Sequence, residues 1–289
     1  MRLSMALQRL ILTLSCTDQP GIVGAVGTCL AENRCNIVES AQFGDVDTGR
    51  FMMRVSFDRL AGAPDASALT AAFEPIATRF GMQWALHDAH VPPRVLLLVS
   101  KFDHCLNDLL YRHKVGALAM TPVAVASNHR DCEALTASYG IAFHYLPRTP
   151  ATRNEQEGRI AALFDDTRAE LVVLARYMQI LSDPLCRKLA GRAINIHHSF
   201  LPSFKGAKPY EQAHARGVKL IGATAHYVTT NLDEGPIIEQ EVARVSHAMT
   251  AEELVSVGRD VECQVLARAV RYHVERRVFV NGQKTVVFR

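Results

Sequence analysis

Six short apolar runs recur through the later two-thirds of the chain: RVLLLVS (94–100), PVAVASN (122–128), IAFHYLP (141–147), LVVLARY (171–177), AINIHHS (193–199) and LIGATAHYV (220–228). Amphipathic or polar stretches separate most of them. Runs this short and this apolar suit strands covered on both faces, with helices in the spacers. The alternation predicts an α/β unit with a mostly parallel sheet and helices on both sides. A long stretch, AEELVSVGRDVECQVLARAVRYHVERR (251–277), predicts a late helix. RVFVNGQKTVVF (277–288) then predicts a hairpin around Asn281-Gly282, with room for a turn longer than two residues.

Upstream, Pro92 and Pro93 cannot both sit inside regular structure, and an apolar strand starts directly after them. They mark a linker at 89–93 between a first domain, 1–88, and a second, 94–289. The first domain reads strand (LILTLSC), helix (GIVGAVGTCLAENR), strand (NIVESAQF), strand (RFMMRVSF), helix (SALTAAFEPIATRF) and strand (MQWALHD), with Pro75 expected to disturb the second helix. This is the βαββαβ order of a ferredoxin-like layer.

Of the 289 residues 48% are hydrophobic and 21% charged, enough for packed cores. The net charge of +3 is spread without a basic block, so no nucleic-acid partner is expected. Seven cysteines lie scattered with no C-x-x-C, which argues against a disulfide framework or zinc site and for a reducing, cytoplasmic setting. The apolar start is broken by Gln8, Arg9 and Thr13 and reads as an extended lead into a strand rather than a signal peptide. No run reaches the roughly 18 residues of a membrane span, so no membrane partner is expected.

Four places hold polar residues where a fold alone does not demand them. Asp18 to Gly21 form D-x-x-G before the first helix; read as residues alone, Asp18 is a cap and Gly21 a packing glycine. After RVLLLVS comes KFDHCLNDLL, a turn with no glycine, which disfavours a dinucleotide or phosphate cradle. Asp103 is expected to cap the following helix, with Ser100, Lys101 and His104 left open. In AINIHHS, alternation puts Asn195 and His197 on one face at the carboxyl end of a strand, where open α/β sheets bind ligands. The residues alone leave open whether His197 is a satisfied core side chain or a catalyst, and His198, on the other face, reads as structural. Farther on, Asp233-Glu234-Gly235 predicts a tight acidic turn after a strand ending near Val228.

The first domain, with its D-x-x-G, resembles an ACT domain. NIHHSFLPSFKGAKPYEQA, followed by GATAHYVTTNLDEGPIIEQ, resembles the folate-dependent formyltransferase family. The fused ACT module, the double histidine and SKFDHCLNDLL are similar to its hydrolase branch, the formyltetrahydrofolate deformylases. That resemblance implies hydrolysis of 10-formyltetrahydrofolate to formate and tetrahydrofolate by Asn195, His197 and Asp233, with no cofactor and no metal. It implies that Met178, Gln179, Ile180 and Leu181 grip the pterin, with His226 and the loop from Thr229 as the other wall. Arg153 would lie near the folate tail. Gln179 stands where the transferases carry arginine. The ACT module implies an amino-acid effector at Asp18, Gly21, Asn36 and Ile37, and a homo-oligomer. Two other activities compete: formyl transfer to an amine acceptor such as glycinamide ribonucleotide, and amino-acid sensing without catalysis.

Overall fold

The computed structural model describes residues 8–201 and 209–289. The extended lead at 1–7 and the end of the SFLPSFKGAK stretch, 202–208, lie outside the described residues. The chain divides into two compact units at Pro92 and Pro93. The last segment departs from the expected boundary: Glu275–Asn281 and Val286–Arg289 belong to the first unit, not the second.

The first unit runs β1 (Arg9–Thr17), α1 (Ile22–Glu32), β2 (Cys35–Asp45), β3 (Arg50–Arg59), α2 (Ala66–Phe80) and β4 (Gln83–Asp88). Its sheet has the order β2-β3-β1-β4. Alternate residues Leu10, Leu12 and Leu14 face the helices and pack with Val26, Phe57, Phe73 and Phe80. Pro75 is inside α2 without ending it. No side chain caps α1, whose N-cap is Gly21 at φ 95°, so Asp18 is not the helix cap expected from the residues alone. Instead the Asp18 N–H donates to the Gly49 carbonyl at 2.8 Å.

The terminal segment joins this unit through charged groups. Arg54, buried on the sheet face away from the helices, donates to the Glu275 carbonyl at 3.0 Å and to Glu39 at 2.8 Å. Arg277 donates to the same Glu39 carboxylate at 2.7 and 3.2 Å. A carboxylate shared by two guanidiniums leaves none of these buried or half-buried charges unpaired.

The second unit contains β5 (Arg94–Val99), α3 (His104–Lys114), β6 (Thr121–Ser127), α4 (Glu133–Ser138), β7 (Phe143–Tyr145), α5 (Arg153–Asp166), β8 (Leu171–Leu174) and α6 (Asp183–Lys188). It continues with β9 (Ala193–His197), α7 (Pro209–Arg216), β10 (Leu220–Tyr227), β11 (Ile237–Arg244) and α8 (Ala251–Val274). The seven-stranded order is β11-β10-β9-β8-β5-β6-β7. The strands from β7 to β9 in that order are parallel, while β10 and β11 run antiparallel. Leu96, Leu98 and Val172 pack against Ile160, Phe164 and Leu185 of α5 and α6, and α3 and α8 pack together. Asp103 begins α3 but its side chain makes no capping bond, which corrects the expected cap. The final strands, β12 (Val278–Asn281) and β13 (Lys284–Val287), flank a loop of only Gly282 and Gln283.

Candidate active site

β9 delivers Asn195 and His197 to the carboxyl edge of the parallel strands. The antiparallel register of β10 sets His226 opposite Asn195 and Thr224 opposite His197. Cross-strand partners share a face, so the two strands alone gather Asn195, His197 and His226. Thr224 secures the chain beyond β9: its hydroxyl donates to the Ser199 carbonyl at 3.0 Å and accepts from the Leu201 N–H at 3.1 Å.

Asp233 reaches the cluster from the loop between β10 and β11. It adopts φ 55°, a left-handed conformation that few non-glycine residues take. The turn falls at Leu232-Asp233, one residue earlier than expected. Gly235 fixes that turn, since a Cβ there would lie 1.7 Å from the Tyr227 carbonyl oxygen. Asp233 Oδ2 is 3.2 Å from His197 Nδ1, and Oδ1 is 3.6 Å from His226 Nε2.

Partner chemistry assigns several protons. A carboxylate only accepts, so His197 Nδ1 carries its proton. His197 Nε2 lies 2.9 Å from Ser199 Oγ, a hydroxyl that can donate or accept. The ring is thus satisfied whether neutral or charged. His226 Nδ1 faces the Tyr227 carbonyl at 2.9 Å and must donate. Its Nε2 sits 3.3 Å from Asn195 Nδ2; neutral, it accepts from that amide, and charged, it donates toward Asp233. Burial opposes ionisation of Asp233, but bonds and attraction from His197 and His226 outweigh it and hold the carboxyl well below the usual carboxylate range.

These groups line a cavity of about 340 Å³. Met178, Gln179, Ile180 and Leu181 form one wall, and the loop from Thr229 to Asp233 forms another. Met178 and Ile180 are exposed at its lip. Arg153 bonds the wall from behind, donating to the Ile180 carbonyl at 3.3 Å. Buried Glu157 accepts from the N–H of Ser182 at 3.0 Å, and Gln179 accepts from Arg148. Ser100 also supports the wall, accepting from the Met178 N–H at 3.0 Å. The structure thus gathers Asn195, His197, Asp233, His226, Thr229 and the 178–181 segment around one cavity, with Arg153 braced against it. His226 stands among the titratable groups rather than in a plain wall.

His198 also lines this cavity and stacks on His197, ring centroids 5.1 Å apart. Burial, reinforced by Arg176 and His197, pushes it down to about 4 from an ordinary 6.5. The unfolded chain therefore takes up a proton that the folded chain refuses, and stability falls as the pH drops from 6.5 toward 4. At pH 5 this amounts to about 2 kcal/mol. Urea unfolding of wild type and His198→Asn at pH 7.5 and pH 5 checks it: the variant should lose less stability on acidification, and parallel losses would refute the assignment.

The four residues expected at an effector site are not together in one chain. Asp18 lies beside Gly44, where an added Cβ would come 2.6 Å from its Oδ2. Asn36 and Ile37 pair with Asp58 and Phe57 at the other end of the sheet, about 25 Å away at the rise of a strand.

A profile described as formyl transferase matches residues 93–270, and one described as ACT domain matches residues 8–87. The formyltetrahydrofolate deformylase of Corynebacterium sp. (strain P-1) is 52% identical over 284 residues, covering 97% of this chain and 98% of its own. That of Bacillus subtilis (strain 168) is 47% identical, covering 96% and 93%. The crystal structure of the formyltetrahydrofolate deformylase of Burkholderia mallei superposes with a TM-score of 0.94 at 55% identity, covering 98% of this chain and 100% of that one. An ACT unit and a formyl transferase unit in one chain, alike over nearly the full length of these relatives, place the protein in the formyltetrahydrofolate deformylase family of enzymes.

Proposed function

We propose that the cavity hydrolyses 10-formyltetrahydrofolate to formate and tetrahydrofolate, with Asn195, His197 and Asp233 carrying the reaction. The observation that supports this most is the His197–Asp233 pair, 3.2 Å apart, in the same cavity as the Asn195 amide. Water adds to the formyl carbon, and the Asn195 side-chain N–H donates to the oxyanion that forms. Asp233 stays ionised through the neutral range, so it acts as a fixed charge that orients the water and accepts from His197 Nδ1. The imidazoles move the protons, because a base that ionises so readily is a poor proton carrier near pH 7. His226 Nε2 takes the proton lost by water, and His197 supplies one to N10 as the C–N bond breaks. The apolar lip at Met178 and Ile180 suits the flat pterin.

Incubating the protein with 10-formyltetrahydrofolate alone and measuring formate tests the reading. Formate without an acceptor supports it. Formyl transfer only when an amine acceptor is added supports transferase activity instead, and no turnover under either condition supports a sensor.

For the first unit we propose an amino-acid effector held between two copies. β2 is an edge strand with Ile37, Val38 and Phe43 exposed. Antiparallel pairing of two such edges would carry Asn36 of one copy toward Asp18 of the other. A monomeric mass by sedimentation would refute this arrangement.

A further inference from the structure

Behind the catalytic cavity lies a second one, of about 260 Å³. Arg176, Met178 and His198 line both. Arg176 is the unusual residue of the pair. Its side chain is only 10% exposed, and its backbone takes φ 63°, so a left-handed arginine aims a charge into the protein. Among the described residues its Nε and Nη1 are fully enclosed and make no hydrogen bond. The nearby carboxylate of Glu262, 1% exposed, stands 3.4 Å from Nε. That carboxylate is already engaged by Tyr210 at 2.6 Å and His104 at 2.7 Å. A buried guanidinium is ordinarily paired in full, because leaving its donors unmet is costly. Here the donors are left over beside the second cavity.

We infer that Arg176 and this second cavity receive the formate released by hydrolysis, a small monocarboxylate. The inference rests on the proposed hydrolysis for its ligand. Formate forms beside Asp233, whose negative charge repels it, and among the described residues the lysine or arginine in the cavity wall is Arg176. A carboxylate of three heavy atoms fits easily in the second cavity and offers the two acceptors that a guanidinium matches. The outer wall carries another cation, exposed Arg259, stacked 5.4 Å from the Phe102 ring, with Arg176 at 6.0 Å from the same ring. Arg176 and Arg259 thus mark a route from the reacting centre toward solvent that shares only Met178 with the folate wall and runs between these cations and the carboxylates of Glu211 and Glu262.

The test uses the full-length chain without folate, titrated with carbon-13 formate at constant ionic strength and followed by NMR line broadening. Saturable binding is expected in wild type. Arg176→Met should weaken it at least about tenfold, as loss of a charge-assisted contact does. Arg176→Gly should do the same while relieving the left-handed backbone, so a poorly folding Met variant does not end the test. Asp233→Asn should retain formate binding. The inference is overturned by absence of saturation, by equal affinity in the Arg176 variants, or by displacement of formate on adding a folate analogue, which would place it in the catalytic cavity. Because binding is read without turnover, it stands apart from the hydrolysis assay: failure to release formate from the substrate would sink the proposed reaction, whereas these outcomes sink the site.

Discussion

Asp233→Asn should lower formate release at least about a hundredfold, the usual scale for a group central to proton handling, while binding of a folate analogue stays near wild type. Asparagine keeps the size of the side chain and removes its charge. The variant therefore loses the counter-ion that lies 3.2 Å from His197 Nδ1 and 3.6 Å from His226 Nε2. Because the carboxyl is held well below the usual carboxylate range, wild type keeps this charge throughout the neutral range, and the variant should not recover at any pH between 6 and 9, a window of about three units. Turnover and fluorescence titration with the analogue, measured on the same preparations, check both halves. More than about a tenth of wild-type turnover would remove Asp233 from the centre of the reaction.

His197→Ala should cost about 10²–10⁴ in turnover, the range for loss of a positioned acid or base, and far more than His198→Ala. The two rings are neighbours in sequence and stack on each other, so a general disturbance of packing would affect both variants alike. Of these two rings only His197 bonds Asp233, and only His197 shares a strand face with Asn195. His198, held neutral by burial, has no proton to give near pH 7. Equal losses in folded, purified variants would contradict this division.

Much of the site could be read along the chain because it depends on strand alternation. Period two in AINIH put Asn195 with His197, and the apolar runs anticipated the sheet that carries them. The alliance of His226 with Asn195 needed one further fact, that β10 runs antiparallel to β9. Direction is set by how the connection packs, and no local pattern encodes it. Arg176 was hidden for a related reason: it follows an apolar strand as an ordinary polar residue, and only the folded chain shows that its guanidinium turns inward. Caps were misread at Asp18 and Asp103 because residue type permits a capping bond without requiring it. Pro75 was tolerated because α2 packs through Leu69, Phe73 and Ala77, and tertiary packing outweighs a local helix penalty.

The return of the chain's last residues to the first unit has a consequence for biosynthesis. Glu275 and Arg277 meet Arg54 and Glu39, and Asn281 donates to Asp45 and Thr48, so the amino-terminal unit waits for these partners until residues 275–281 have left the ribosome. Domains normally complete in order of emergence. Here the first to emerge is the last to close, with Arg54 lacking these partners while some 220 residues separate the two sides of its bond to Glu275. A premature stop after α8 would spare every strand of the parallel sheet and strike instead at the unit translated first.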